Sequence, residues 1–245
     1  MSFLAFRRAV ALAIALALSI VRFWLLRLRG PLTLEKRALW VTQTCRGILS
    51  IVGITLRSEG TPPTHGLVVA NHLSYLDILI ISSVMPCFFV AKMEIGGWLF
   101  FGKAARVGGT IFLDRSSLDS ANSVAGQMKE RLKMPMPVLL FPEGTSTDGS
   151  KVLRFHSRLI DPATTVGAPI TAASVRYVIE DGTPERKLCW EDDTLFVTHL
   201  MTTLSTPGFS ARVSFGEPHV YPDRRTAADA THAEVTAMRA RLPLP

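Results

Sequence analysis

The chain has 245 residues, 48% of them hydrophobic and 19% charged, with 27 Lys and Arg against 20 Asp and Glu. That is enough apolar material for a sizeable core and too much for a disordered chain. The formal charge of +7 is local: residues 1–59 hold nine basic residues and two acidic ones, and the remainder is balanced. These basic residues are interleaved with long aliphatic runs instead of forming a polar basic face, which argues against nucleic acid and for an anionic membrane surface. Cys45, Cys87 and Cys189 are odd in number and widely spaced, so buried thiols in a reducing compartment are expected, with no disulfide framework and no zinc site.

Between Arg8 and Arg22, Ala9 to Val21 carry no charge, and Phe23 to Leu26 prolong the run to Arg27. At about 1.5 Å per residue the uncharged part makes a helix of roughly 20 Å, short of the ~30 Å hydrocarbon core, so spanning requires Arg22 to snorkel. A secretory signal is a second reading, from Arg7-Arg8, the apolar run and Ala15-Leu16-Ala17, but the hydrophobicity continues past any cleavage site. The third reading is a helix embedded in one leaflet. It is supported by Glu35 to Val52, where Val41, Cys45, Ile48, Leu49 and Val52 follow helical spacing and Thr42, Arg46 and Ser50 lie opposite. Two helices joined at Gly30-Pro31 predict a membrane-associated hairpin over residues 1–52, half-inserted or shallowly spanning, and a separate domain over 53–245.

From Gly53 the period changes. Ile54 to Ser58 alternate as a strand would, and Gly60-Thr61-Pro62-Pro63 ends them. Strands are then expected at Leu67 to Ala70, Cys87 to Ala91, Thr110 to Leu113 and Val138 to Phe141. Helices at Ser74 to Val84, Ile95 to Ala105 and Leu118 to Lys133 alternate with them. Later elements are strands at Pro169 to Tyr177 and Ala211 to Phe215, with helices at Asp192 to Leu204 and Thr226 to Leu242. This alternation predicts an α/β fold, a mostly parallel sheet flanked by helices and preceded by the N-terminal hairpin. Functional groups in such sheets gather at the carboxyl ends of strands.

Two of those ends carry unusual residues. In Asn71-His72-Leu73-Ser74-Tyr75-Leu76-Asp77, a His follows a buried strand and precedes a helix. Ser74-x-x-Asp77 reads as a capping box, while Asp77 is also within reach of the His72 ring and would make it a better base. In Phe141-Pro142-Glu143-Gly144-Thr145-Ser146, Gly144 permits unusual backbone geometry, and the hydroxyls could receive a phosphate or headgroup; an ordinary polar loop ending at Asp148-Gly149 reads equally well. Gly109 to Arg115 adds a cation at a third strand end, where Arg115 suits a phosphate or a carboxylate such as Glu143.

Together the segments resemble the lysophospholipid acyltransferase family, whose best-known members are 1-acylglycerol-3-phosphate acyltransferases. NHLSYLD resembles its NHxxxxD block, GTIFLDR the block ending in a phosphate-binding Arg, and FPEGTS the Phe-Pro-Glu-Gly-Thr block, in the same order over residues 52 to 220. A fourth block, Pro-Ile/Val-x-Pro, is partly present, with Ala172 after Pro169-Ile170-Thr171 where the second Pro would be. The resemblance implies that His72 is the base and Asp77 its orienting acid. It implies that Arg115, Glu143, Gly144 and Thr145 bind the acceptor, with Lys92 a further phosphate contact.

The expected reaction moves an acyl group from acyl-CoA or acyl-carrier protein to a lysophospholipid hydroxyl, foremost 1-acylglycerol 3-phosphate. It takes place at the cytoplasmic face of the inner membrane, with the bilayer as partner. No GxSxG elbow and no HxxxH or HExxH spacing occurs, so neither an acyl-enzyme nor a metal or other cofactor is expected. A lyso-ornithine lipid or another lysophospholipid is the neighbouring alternative for the acceptor. A non-catalytic membrane-surface protein is the rival from another class. His156, which follows the FPEGTS loop, is a minor candidate to line the same site, and His199 is expected to be a core or interface histidine.

Overall fold

The computed structural model describes residues 2–97, 101–113, 118–190 and 194–241. The apolar N-terminal run forms one helix, α1 (Phe3–Leu28), whose first turn is capped by the Ser2 hydroxyl accepting from the Ala5 amide. After Gly30-Pro31 the chain enters α2 (Leu34–Val52), capped by Thr33. Ser19 meets Thr44 and Phe23 meets Trp40, so the two helices run antiparallel. Cys45, Ile48, Leu49 and Val52 of α2 are buried as their spacing predicts. Thr42, expected on the polar side, is buried as well, because neighbouring helices cover α2 on more than one side.

α2 ends at Gly53, whose φ of +85° favours glycine and whose amide donates to the Leu49 carbonyl at 3.0 Å. A Cβ there would also lie 2.2 Å from Arg8 Nη2. That guanidinium donates to the carbonyls of Leu204, Thr206 and Pro207, closing the end of α8 (Phe196–Ser205). Arg46 Nε similarly donates to the Ser83 carbonyl at 2.7 Å, near the end of α3 (Leu76–Val84). Two of the nine N-terminal cations are thus engaged with carbonyls at helix C-termini, fastening the hairpin to the rest of the molecule.

The remaining elements are β1 (Ile54–Glu59), β2 (Leu67–Ala70), β3 (Phe88–Lys92), α4 (Met93–Gly96), α5 (Phe101–Gly108), β4 (Ile111–Leu113), α6 (Leu118–Leu132), β5 (Val138–Leu140), α7 (Ser157–Thr165), β6 (Ile170–Val178), β7 (Phe209–Phe215) and α9 (Arg224–Arg241). Among the described residues the strands form a seven-stranded sheet in the order β1-β7-β6-β2-β5-β3-β4. Every pairing is parallel except β6 with β7. This is the mostly parallel, helix-flanked sheet that the alternating pattern predicts.

Strands β2 and β5 are buried along their whole length, as continuous apolar runs covered on both faces must be. Val68, Ala70 and Leu139 face a core completed by α1, α2, α3 and α8, while Leu67, Val69 and Leu140 face one completed by α6, α7 and α9. Each fully buried aliphatic side chain in these cores contributes roughly 2 kcal/mol.

Some expectations differ in detail. α7 was not predicted, because its apolar positions are few and Pro162 lies inside it. The expected helix over Ile95 to Ala105 falls partly on residues 98–100, and the expected start at Asp192 on 191–193, both outside the described residues.

Candidate active site

Strand register brings the two unusual turns together. Val69 pairs with Leu140, so His72 and Glu143 each lie three residues beyond the same rung of the sheet. Phe89 pairs with Leu139, which sets Lys92 level with Pro142. β6 flanks β2 on its other side, with Ala70 opposite Ala173. The Asn71 side chain continues that ladder where the backbones diverge: Oδ1 accepts from the Val175 amide at 2.8 Å and Nδ2 donates to the Val175 carbonyl at 3.1 Å. The chain then turns at His72.

His72 Nδ1 lies 2.8 Å from Asp77 Oδ2. Because that carboxylate is acceptor-only when ionised, the neutral ring carries its proton on Nδ1 and presents the lone pair of Nε2. Nε2 has no hydrogen-bond partner among the described residues, and the His72 side chain is 19% exposed. The ring stacks on Phe141 with centroids 4.2 Å apart.

Asp77 is completely buried. Its Oδ2 also accepts from the amides of Leu73 (2.6 Å) and Ser74 (3.0 Å), and its Oδ1 from the Tyr177 hydroxyl. A buried carboxylate needs this many donors to offset its desolvation. The capping box is therefore half realised: the carboxylate reaches back to the Ser74 amide, but the helix begins at Leu76, and the Ser74 hydroxyl is 3.4 Å from the Leu76 amide. Capping and orienting His72 are not alternatives here, since one oxygen does both.

The second turn braces the first. Glu143 is buried; Oε1 accepts from the His72 amide at 2.8 Å and Oε2 from the Leu153 amide at 2.7 Å. Burial pushes its carboxyl above the usual range, against the opposing pull of those two amides and of His72. Gly144 turns the chain with φ +78°. The Thr147 amide and hydroxyl both donate to the His72 carbonyl, and Ser146 Oγ donates to the Trp190 carbonyl at 2.5 Å.

Of the residues implied by the resemblance, the structure brings His72, Asp77 and Glu143 into one bonded unit, with Gly144 and Thr145 in its turn. Glu143 faces the backbone of both turns. Lys92 is exposed at the end of β3, opposite Leu113 of β4. Arg115, two residues beyond Leu113, lies outside the described residues. His156 is exposed at the start of α7, its amide donating to the Pro142 carbonyl at 2.9 Å. His199 is buried, with Nδ1 3.1 Å from the Tyr75 hydroxyl. Among the described residues no three His, Cys, Asp or Glu side chains converge as a metal site would require. The three cysteines are free and buried.

Beside the turn, a cavity of about 160 Å³ opens between α2, α3 and α5. Tyr75, Ile78 and Leu79 form one wall, Val41 and Ile48 another, and Ala105 and Gly108 a third. Leu16 of α1 and Phe196 of α8 also reach it.

A family model described as Acyltransferase matches residues 54–176, half of the chain, including both turns. The chain belongs to the acyltransferase family. This acyltransferase is 35% identical over 200 residues to the lyso-ornithine lipid O-acyltransferase of Rhodobacter capsulatus, covering 78% of this chain and 72% of that protein. It is 33% identical over 184 residues to the 1-acyl-sn-glycerol-3-phosphate acyltransferase of Neisseria meningitidis serogroup B, covering 74% and 72%. Its fold matches the crystal structure of the 1-acyl-sn-glycerophosphate (LPA) acyltransferase PlsC from Thermotoga maritima, with a TM-score of 0.70, 19% identity and coverage of 98% and 96%. The enzyme is an O-acyltransferase.

Sequence reasoning reaches Asn71 only as the neighbour of His72, and misses Tyr177 and Trp190 of the candidate site. Tyr177 reads as the end of a strand, and its distance of 100 residues from Asp77 leaves no local signal. Trp190 is held by the Leu73 carbonyl, a partner that only the folded chain supplies.

Proposed function

We propose that this enzyme transfers a fatty acyl group from an acyl thioester, acyl-CoA or acyl-carrier protein, to the free hydroxyl of a lyso-lipid, foremost 1-acylglycerol 3-phosphate. The observation that carries this reading is the accessible His72 ring, backed by buried Asp77, on a turn whose Tyr75 lines an apolar cavity. Neutral His72 takes the hydroxyl proton at Nε2 as the acceptor oxygen bonds to the thioester carbon, and Asp77 stabilises the imidazolium. Collapse of the tetrahedral intermediate releases the thiolate, which takes the proton from His72. The chain needs no cofactor of its own for these steps.

The cavity receives the acyl chain. Lys92, at the end of β3, and Arg115 supply cations for a phosphate, and Gly144 and Thr145 complete the acceptor side. A lyso-ornithine lipid is the second reading, favoured by the Rhodobacter relative's name. A panel of lyso-lipids offered with one labelled acyl-CoA separates the two.

The N-terminal hairpin seats the enzyme on the cytoplasmic face of the inner membrane. α1 is long and apolar enough to cross a bilayer, yet its Ala5 and Leu12 side is packed on the rest of the chain. Val10, Ile14, Leu18, Val21, Leu25 and Leu28 on its outer side are 44–81% exposed. A helix fastened along the protein in this way lies in the interface with that stripe in one leaflet. Replacing Leu18 and Leu25 with Glu should weaken binding to anionic vesicles; unchanged co-sedimentation would refute the seat.

His72→Ala in membranes containing the enzyme should lower acyl transfer by about 10²- to 10⁴-fold. Full activity in that variant excludes His72 as the base.

A further inference from the structure

We infer that Tyr177 of β6 is a positioning residue: its hydroxyl pins the Asp77 carboxylate in the orientation that His72 uses. The inference rests on the function proposed above, with His72 as base.

The two oxygens of Asp77 are served unequally. Oδ2 takes the His72 ring and two backbone amides, whereas Oδ1 has Tyr177 as its hydrogen-bond donor. With no exposure to water, Oδ1 would otherwise be a buried anionic oxygen without a donor, and the carboxylate could relieve that only by rotating away from His72. Tyr177 can hold it because its ring is itself immobile, nearly fully buried and packed 5.4 Å from Phe209.

The strand beneath the ring is fixed from outside the site. The Tyr177 amide donates to Glu185 Oε1 at 2.7 Å, and Glu185 Oε2 accepts from Arg239 of α9 at 2.8 Å. Arg239 also donates to the carbonyls of Val175 (2.6 Å) and Gly149 (2.7 Å). Val175 in turn holds Asn71, the residue before His72. The base and the donor to its carboxylate therefore hang from the same three residues of β6.

The other titratable groups facing this pair are Glu143, Cys189 and Glu185. Glu143 is engaged by backbone amides and Glu185 by Arg239 and the Tyr177 amide. Burial holds the Cys189 thiol protonated, and burial with the Asp77 charge holds the Tyr177 phenol protonated, so the donor persists at any working pH.

Without the hydroxyl, buried Oδ1 has no donor and the carboxylate turns from the His72 ring, loosening its hold on the base. The test is kcat and KM, measured separately, for the full-length enzyme in vesicles, with the lyso-lipid that the wild type acylates fastest. Tyr177→Phe should lower kcat roughly tenfold, with KM unchanged. 3-Fluorotyrosine at position 177 keeps the hydroxyl at similar size and should keep kcat within about twofold of the wild type. Ile160→Val, in the core on the opposite face of the sheet, should lower thermal stability and leave kcat in place. Wild-type kcat in Tyr177→Phe, a tenfold loss with 3-fluorotyrosine, or an equal loss in Ile160→Val overturns the inference. Full activity in His72→Ala would instead overturn the function it rests on.

Discussion

The short helix α3 divides two environments built on opposite principles. On one side Asp77 enters a turn where a buried carboxylate is bonded to the His72 ring, two amides and a phenol. On the other, Tyr75, Ile78 and Leu79, spaced to share a helical face, front a cavity with scarcely a polar atom in its lining. On the proposed mechanism, charge is concentrated where the proton moves and excluded where the acyl chain lies. The contrast also strengthens the first side, since low-dielectric walls magnify the attraction between His72 and Asp77. Disturbing either side alone should therefore give distinguishable kinetics.

Beyond His72 itself, the polar side should break hardest at Glu143. In Glu143→Gln one oxygen can still accept an amide, but the new amide nitrogen faces the second backbone N–H, donor against donor. A loss in kcat of about 30- to 100-fold is expected, with KM little changed. Stability should fall only by the cost of the unpaired donor, about 1–3 kcal/mol. Because burial raises the Glu143 carboxyl, its ionised form is disfavoured in the folded state relative to the unfolded one, so removing the charge at neutral pH forfeits no ionic stabilisation. Thermal melting beside single-turnover rates checks this; wild-type rates, or a collapsed melting temperature, would refute the brace.

The apolar side should break more gently, and selectively. Ala105→Phe places a ring in the cavity opposite α2. Long-chain donors should lose about tenfold in kcat/KM while short-chain donors react as before, since only the former need the filled volume. Equal losses for both would mean that the cavity does not hold the chain.

The same division explains what the sequence could disclose. The alternation of short β-rich runs with helical stretches made the sheet legible, because each period is set by local residue choice. His72 and Asp77 were legible for the same reason, being five residues apart on one turn. Glu143 announced itself as unusual, but its bond to the His72 amide depends on β2 pairing with β5, a register that no local pattern encodes. Tyr177 and the Arg239–Glu185 pair were more remote still, joined to the site through a strand that reads as ordinary core. The cavity was hidden because it is a space between α2, α3 and α5, three helices whose packing follows from the whole fold.

The seam between the two sides is Tyr75, which lines the cavity with its ring and meets His199 of α8 with its hydroxyl. Burial lowers the tendency of His199 to protonate from the ordinary value of 6.5, although the carbonyls of Leu188 and Cys189 pull the other way. Its Nε2 has no hydrogen-bond partner of normal geometry. A histidine whose folded value is depressed lends stability that is complete above 6.5 and is withdrawn as pH falls from there through the lower folded value, because the unfolded chain binds the proton first. Acidification from neutral pH toward 5 should therefore lower the melting temperature of the wild type more than that of His199→Gln, which can still hydrogen-bond Tyr75 but cannot titrate. A difference of about 2–4 °C at the acid end is expected. If the two melting curves stay parallel across that range, His199 does not carry the pH dependence of this seam.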